Sequence, residues 1–268
     1  MSQHDALIRD NPQDFEGKRL QLLEQMLDPQ TIQRLEQLEI QPGWRCLEVG
    51  AGEGSIACWL ANKIIPQGQV VATDIETRLL DQKHQSNLEV RHHNILTDDL
   101  EQGYYDLVHT RAVLMHLADP VEAVSKMASA VRPGGWLLLE EFDWISFGAV
   151  DTKSANAQAF NQKTQALANV LQAVHVMDLY LGRRLRGLLD QLGFIDIVAE
   201  GRTGISCGGD PLTEFQLMNL QLAGPPLVAA GVFTEKDVEL LRQLFTDPSF
   251  YYVDGIFFGV WGRRPLDG

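Results

Sequence analysis

Between Cys46 and Ala57 the chain reads CLEVGAGEGSIA, an apolar run carrying Glu48 and then glycine at alternate positions, Gly50, Gly52 and Gly54. A parallel strand is apolar on both faces, and a tight turn that lets main chain approach a ligand needs residues without a Cβ. These glycines supply such a turn. Twenty residues past Gly54 a second apolar run, residues 69–73, ends at Asp74, whose carboxylate can accept both hydroxyl hydrogens of a ribose. Two strand ends then converge on one nucleotide-type ligand. A glycine-rich turn that holds nothing is the plain alternative, and Asp74 is the residue that weighs against it.

The glycine spacing narrows the ligand. A dinucleotide fingerprint, G-x-G-x-x-G, places its last glycine where a helix opens, so that pyrophosphate sits on the helix N-terminus. Here that position is Ser55, and the fingerprint fails.

Other side chains that could do chemistry are scattered. The three cysteines, Cys46, Cys58 and Cys207, have no C-x-x-C spacing, and buried thiols in a reducing compartment are the expectation. His92 and His93 are neighbours on a strand, point to opposite faces and cannot share one ion, so no metal site is assigned.

The elements that must position these residues follow from the pattern. Helical periodicity over residues 20–38 is interrupted at Asp28-Pro29, where Asp28 can cap a second helix that begins at Pro29. Strands are expected at 45–49, 69–73, 88–92, 105–110 and 136–142, with helices at 55–63, near Leu79 and at 121–131, the last opened by Asp119-Pro120. Strands alternating with helices imply a parallel, doubly wound α/β sheet. Beyond Phe142 the rhythm changes: residues 152–192 are mostly helical in pattern, a strand covers 194–200, and a glycine-rich loop covers 204–211. Helical stretches at 212–222 and 234–245 precede a last strand at 255–261. The surplus helices are expected to form a cap over the carboxyl edge of the sheet, where open α/β sheets bind ligands.

Composition bounds the function. With 268 residues, 45% of them hydrophobic, the chain can bury a full core, and one large domain with an elaboration is expected. Its formal net charge of -14 argues against tracking a nucleic-acid backbone. No apolar stretch approaches the roughly 20 residues that span a bilayer, and MSQHDALIRD has no signal-peptide core, so a soluble cytoplasmic protein, monomeric or homodimeric, is the expectation.

Taken together, Glu48-x-Gly50-x-Gly52-x-Gly54, VVATDI (70–75), YDLVHTRAVLMHLADP (105–120) and RPGGWLLLEEF (132–142) resemble the motifs of class I S-adenosylmethionine-dependent methyltransferases, in the family's order and spacing over about the first 145 residues. The resemblance implies a Rossmann-like, doubly wound seven-stranded sheet of order 3-2-1-4-5-7-6, with strand seven antiparallel and a helical cap. It implies an N-terminal helical lid (1–42), a cofactor-binding core (43–145), and cap insertions with terminal strands (146–268), all within one methyltransferase domain. It implies S-adenosylmethionine as cofactor, S-adenosylhomocysteine as its product, and a small-molecule acceptor, methylated at oxygen or nitrogen, with carbon also open. Secondary metabolism is the expected setting.

By the same resemblance, Glu48, Gly50, Ala51, Gly52 and Gly54 line the amino acid and sulfonium end, Asp74 takes the ribose hydroxyls, and Ile75 packs on adenine. The family usually carries an acid after strand three; here the segment is His93-Asn94-Ile95, and an Asn94 carbonyl can accept from the adenine amino group beside Ile95. Arg111 is expected along the methionine moiety. A sulfonium is already a good leaving group, so transfer chiefly needs proximity, alignment and, for a hydroxyl or protonated amine, a base. His116 is the first candidate for that base, with Asp143 and Glu141 behind it and His175 in the cap. Each has a structural reading as well: His116 as a packed loop histidine, and the cluster of His175, Asp178, Arg183 and Arg184 as a solvated ion-pair face. Glu140 and Glu141 must point to opposite faces of their strand. A methyltransferase-fold protein that cyclises or merely binds its ligand is one alternative. A nicotinamide oxidoreductase is another, disfavoured by Ser55.

Overall fold

Helix α1 (Pro12–Gln37) precedes β1 (Arg45–Val49), α2 (Ser55–Lys63), β2 (Gln69–Asp74), β3 (Leu88–His92), β4 (Tyr105–Arg111), α3 (Pro120–Ala130) and β5 (Val131–Asp143). After these come β6 (Gly148–Ala149), α4 (Ala155–Ala173), α5 (Leu185–Gln191), β7 (Ile195–Arg202), β8 (Ile205–Ser206), α6 (Pro211–Ala229), α7 (Glu235–Thr246), β9 (Tyr252–Val253) and β10 (Ile256–Arg263). The computed structural model describes residues 12–174 and 177–266, and the chain divides into two units.

The larger unit takes residues 28–143 with the described parts of 175–202 and 256–268. Its seven-stranded sheet has the order β3-β2-β1-β4-β5-β10-β7. Strands β1 to β5 pair in parallel, and β10 runs antiparallel to both β5 and β7. Numbered within this sheet alone, the order is 3-2-1-4-5-7-6 with the seventh strand antiparallel, the Rossmann-like arrangement that the resemblance implies. Residues of β1, β2, β4 and β5 are mostly buried, with apolar side chains such as Leu47, Val71 and Leu139 among them. In α2, Ile56, Ala57, Leu60 and Ala61 are buried at helical spacing, within a cluster that includes Cys46, Val70, Leu107 and Leu138. Each large side chain so buried stabilises the fold by about 1.5–3 kcal/mol. Helix α3 starts as its sequence requires: the Asp119 side chain accepts from the Glu122 N–H at 2.9 Å, with Pro120 in the first turn.

Several boundaries differ from expectation: β5 starts at Val131, α6 runs on to Ala229, and the N-terminal helix is unbroken. The helix does not stop at Asp28-Pro29 but runs through it. An interior proline costs about 3 kcal/mol, and burial of Leu35 and, just past the helix, Leu38 offsets this, while Thr31 and Arg34 on the same side find buried polar partners. Asp28 does not act as a cap there; its carboxylate accepts from Ser55 at 3.0 Å and Arg111 at 2.8 Å.

The smaller unit takes the described part of residues 1–27 with 144–174 and 203–255. Helices α4, α6 and α7 and a small sheet of order β6-β9-β8 enclose an aromatic core. Phe160 meets Phe245, Phe250 and Tyr252 with ring centroids 5.2–5.6 Å apart. The Tyr252 hydroxyl lies 3.0 Å from Thr213 Oγ1, so its polar end is satisfied. Helix α7 opens with a capping box between Thr234 and Asp237. Strands of two residues have no alternation to read, which is why the sequence leaves them as loop.

Candidate functional site

Gly50, Gly52 and Gly54 all adopt left-handed backbone, with φ of 72°, 58° and 87°. A residue with a Cβ would add about 1–2 kcal/mol of strain at each. At Gly50 a Cβ would run into the Val113 side chain, and at Gly54 it would stand 2.6 Å from Leu80 Cδ1. The turn is pinned to the end of β2, since the N–H groups of Gly50 and Ala51 both donate to the Thr73 carbonyl, at 2.8 and 2.9 Å. Asp74 closes the same corner: Oδ2 accepts from Gly52 N–H at 2.9 Å and Oδ1 from Glu76 N–H at 3.0 Å. Each oxygen retains acceptor capacity for a ligand hydroxyl. Ile75, next along, is 68% exposed, an apolar surface at the strand tip.

At the end of β3, Asn94 builds its own loop. Its Oδ1 accepts from Leu96 N–H at 3.0 Å, and its N–H donates to Asp98 Oδ2 at 2.9 Å. Ile95 is buried.

The parallel register puts Glu48 beside His109, and Arg111 beside Glu140, which faces Gly259 across the next strand pair. Because alternate residues share a face, Glu48, His109, Arg111 and Glu140 form a row on one side of the sheet. Helix α1 lies over this row. Arg111 Nη1 donates to Asp28 and, at 3.2 Å, to Thr31 Oγ1. His109 Nδ1 lies 2.7 Å from Glu48 Oε2 and its Nε2 lies 3.0 Å from Glu140 Oε2. Thr31 donates to the same Glu140 oxygen at 2.6 Å, Arg34 Nη1 pairs with Glu140 Oε1, and Arg34 Nε donates to Glu200 at 2.9 Å. Gly259 makes room for the guanidinium, since a Cβ there would overlap it. Burial draws the His109 pKa down, but the charge of Glu48 and hydrogen bonds with Glu140 and Glu48 raise it to about 9. Burial likewise pushes Glu140 upward, yet bonding to His109 with the charges of His109 and Arg34 holds it below the usual carboxylate range. Sequence reasoning did not single out Thr31, Arg34 or His109. The register that aligns them is not written in any one segment.

Alternation sends Glu141 and Asp143 to the other face. Glu141 is fully buried; Oε1 accepts from Met115 N–H at 3.2 Å, while Oε2 has no hydrogen-bond partner among the described residues. Burial pushes its pKa up to about 8, against the backbone donors of the turn at Met115 and Leu114. Asp143, also buried, is held by Arg183 through Nε and Nη2, both at 2.5 Å. The Arg183 guanidinium lies 5.1 Å from the Tyr180 ring centroid. So Arg183, read from sequence as part of a solvated cluster, holds a buried acid, whereas Arg184 pairs with Asp178. His116 is exposed at the end of the single turn Leu114–His116 after β4. His175 lies outside the described residues.

The donor set tests which group suits this corner. The turn and helix opening, residues 48–57, carry Glu48 and Glu53 and no lysine or arginine. A pyrophosphate would face acids without a counter-charge, whereas a cationic sulfonium with ribose and adenine meets acids, Asp74 and the apolar Ile75. The residues present therefore fit the latter group.

Residues 47–137 match a family described as a methyltransferase domain. An uncharacterised 37.1 kDa protein in a transposon of Streptomyces fradiae is 36% identical over 42% of this chain and 34% of its own length. Methyltransferase str3 of Strobilurus tenacellus is 28% identical over 67% of this chain and 63% of its own. The chain thus spans about one third to under two thirds of these relatives. Among solved structures, a Haemonchus contortus phosphoethanolamine N-methyltransferase 2, in complex with phosphomonomethylethanolamine and S-adenosylhomocysteine, aligns with a TM-score of 0.58 at 17% identity, covering 99% of this chain and 60% of that one. At that identity the likeness is one of fold.

Proposed function

Starting from the class I, S-adenosylmethionine-dependent methyltransferase domain that this chain carries, we propose that the protein transfers a methyl group from S-adenosylmethionine to oxygen or nitrogen of a small-molecule acceptor. The observation that carries the reading is the corner itself: three left-handed glycines tied to the end of β2, with Asp74 bonded to the middle one. When bound, the cofactor supplies an electrophilic methyl group on a sulfonium.

The chain's residues then have separable tasks. Glu48, Gly50, Ala51, Gly52 and Gly54 hold the amino acid and sulfonium end. Asp74 accepts the ribose hydroxyls, Ile75 and Ile95 flank adenine, and Asn94 shapes the loop beside it. Arg111, whose Nη1 is anchored on Asp28 and Thr31, offers its remaining donors to the methionine carboxylate. His116, exposed after β4, is the base for an acceptor hydroxyl or ammonium. Glu141 and Asp143, on the same face of β5, orient the acceptor; Arg183 fixes Asp143, and Glu141, protonated near neutrality, donates a hydrogen bond.

The acidic balance of the chain, net charge -14, supports a small molecule over a nucleic acid. Among the described residues no helix is long and apolar enough to cross a membrane. Calorimetry with S-adenosylmethionine, S-adenosylhomocysteine and NADH tests the cofactor, and a screen of acceptors with methyl-labelled cofactor tests the transfer. Binding of NADH with no binding of either sulfur nucleoside overturns the proposal. So does a ligand converted without gain of a methyl group.

A further inference from the structure

The central strands bury more charge than a cofactor turn needs. Glu48 is 3% exposed, and His109, Glu140 and Arg34 are fully buried. They form one chain of contacts across the sheet: Glu48 to His109, His109 to Glu140, Glu140 to Arg34, and Arg34 on to Glu200.

Both nitrogens of the imidazole face carboxylate oxygens, Nδ1 at 2.7 Å and Nε2 at 3.0 Å. A neutral ring has one N–H and one lone pair, so it can satisfy one of these acids and must turn a lone pair on the other. A doubly protonated ring donates to both. It also balances the buried group, with His109 and Arg34 set against Glu48 and Glu140. Burying an unmatched carboxylate is costly, and Glu140 is fully buried while Glu48 is 3% exposed.

We infer that His109 is a positioning residue for the cofactor site: as a doubly protonated bridge it sets the orientation of the Glu48 carboxylate at the head of the glycine turn, and through Glu140 it ties that carboxylate to Arg34 of α1. His109 itself touches no ligand. It acts through Glu48, so it governs cofactor affinity, not the chemical step. This rests on the proposed cofactor reading of the turn. The groups that face the ring are Glu48 from β1 and Glu140 from β5, with Arg34 and Thr31 of α1 behind Glu140, and Glu200 of β7 behind Arg34. The Arg111–Asp28 pair lies beside Thr31.

Titration has a definite sign. The ring's proton is lost as pH rises through about 9, and one of its two bonds to the acids goes with it. Cofactor affinity is therefore steady below that range and falls above it.

The test combines a ligand-free and a ligand-bound measurement. Nitrogen NMR of protein labelled at histidine should show one ring with both nitrogens protonated at pH 7, titrating well above the others. Calorimetry of S-adenosylhomocysteine should show affinity falling about tenfold with the same midpoint, since a charge-assisted bond is being lost. His109→Gln should bind about tenfold more weakly at pH 7 and lack the alkaline step. A His109→Gln protein that does not fold is bypassed by Glu140→Gln. There the ring can be neutral, donating to Glu48 and accepting from the new amide, so the alkaline step in affinity disappears. A singly protonated His109 at pH 7 overturns the inference, as does a step unmoved by Glu140→Gln or His109→Gln. Wild-type protein that binds no S-adenosylhomocysteine at any pH, while the ring is doubly protonated, overturns the cofactor reading and this role with it.

Discussion

Glu141→Gln changes one ionisable group and almost nothing of its shape, so its effect on stability isolates a single titration. The carboxyl is fully buried, one oxygen accepts from Met115 N–H, and its pKa is pushed up to about 8 from an ordinary 4.5. A raised acid binds its proton more tightly in the folded chain, so folding stability falls as pH climbs from 4.5 to 8. At about 1.4 kcal/mol per unit, that window is worth on the order of 5 kcal/mol. A glutamine has no such loss. The variant should match the parent near pH 5 and exceed it by on the order of 4–5 kcal/mol above pH 8. His109 adds its own decline between 6.5 and 9 in both proteins, and subtracting one curve from the other removes it. The assay is urea unfolding followed by tryptophan fluorescence across that pH range. Trp44, Trp59, Trp136 and Trp261 all lie in the unit that holds Glu141. Parallel curves for the two proteins, or a variant less stable at pH 8.5 than the parent, would refute the argument that Glu141 is held protonated by burial.

Three further outcomes bear on the site. Gly50→Ala should destabilise the chain by about 2–4 kcal/mol, from left-handed strain plus collision with Val113, and abolish cofactor binding; chemical denaturation and calorimetry check both. Asp74→Ala should weaken S-adenosylmethionine and S-adenosylhomocysteine alike by about 1.5–3 kcal/mol, and an unchanged calorimetric affinity removes Asp74 from the site. His116→Ala should lower turnover about 10²- to 10⁴-fold with cofactor affinity kept, as read from single-turnover rates beside calorimetry. Rates within a fewfold of the parent would leave proximity as the main catalytic device.

Much of the fold was legible because burial on two faces leaves a local mark. The runs that became β1, β2 and β4 carry enough apolar residues to mark buried strands, with polar residues such as Glu48 and His109 among them, and Asp119-Pro120 announces α3 by capping chemistry alone. The Asp28-Pro29 boundary was misread for the opposite reason. Local rules end a helix there, but burial of Leu35 and Leu38, with buried polar partners for Thr31 and Arg34, carries the helix through. The two-residue strands β6, β8 and β9 leave no periodic trace and exist only by pairing with one another.

By itself, the amino-acid order determines what depends on neighbours in the chain: where strands and helices form, which turn has no Cβ, and which strand tip ends in an acid. The tertiary structure alone decided which charges meet. His109 stands beside Glu48 because two parallel strands adopt one register, and Arg34 reaches Glu140 from 106 residues away because Gly259 leaves it room. Asp143 likewise finds Arg183 only once the chain folds back. Register and close approach are properties of the packed core, where a charge must find its partner or stay out, and no single segment records them.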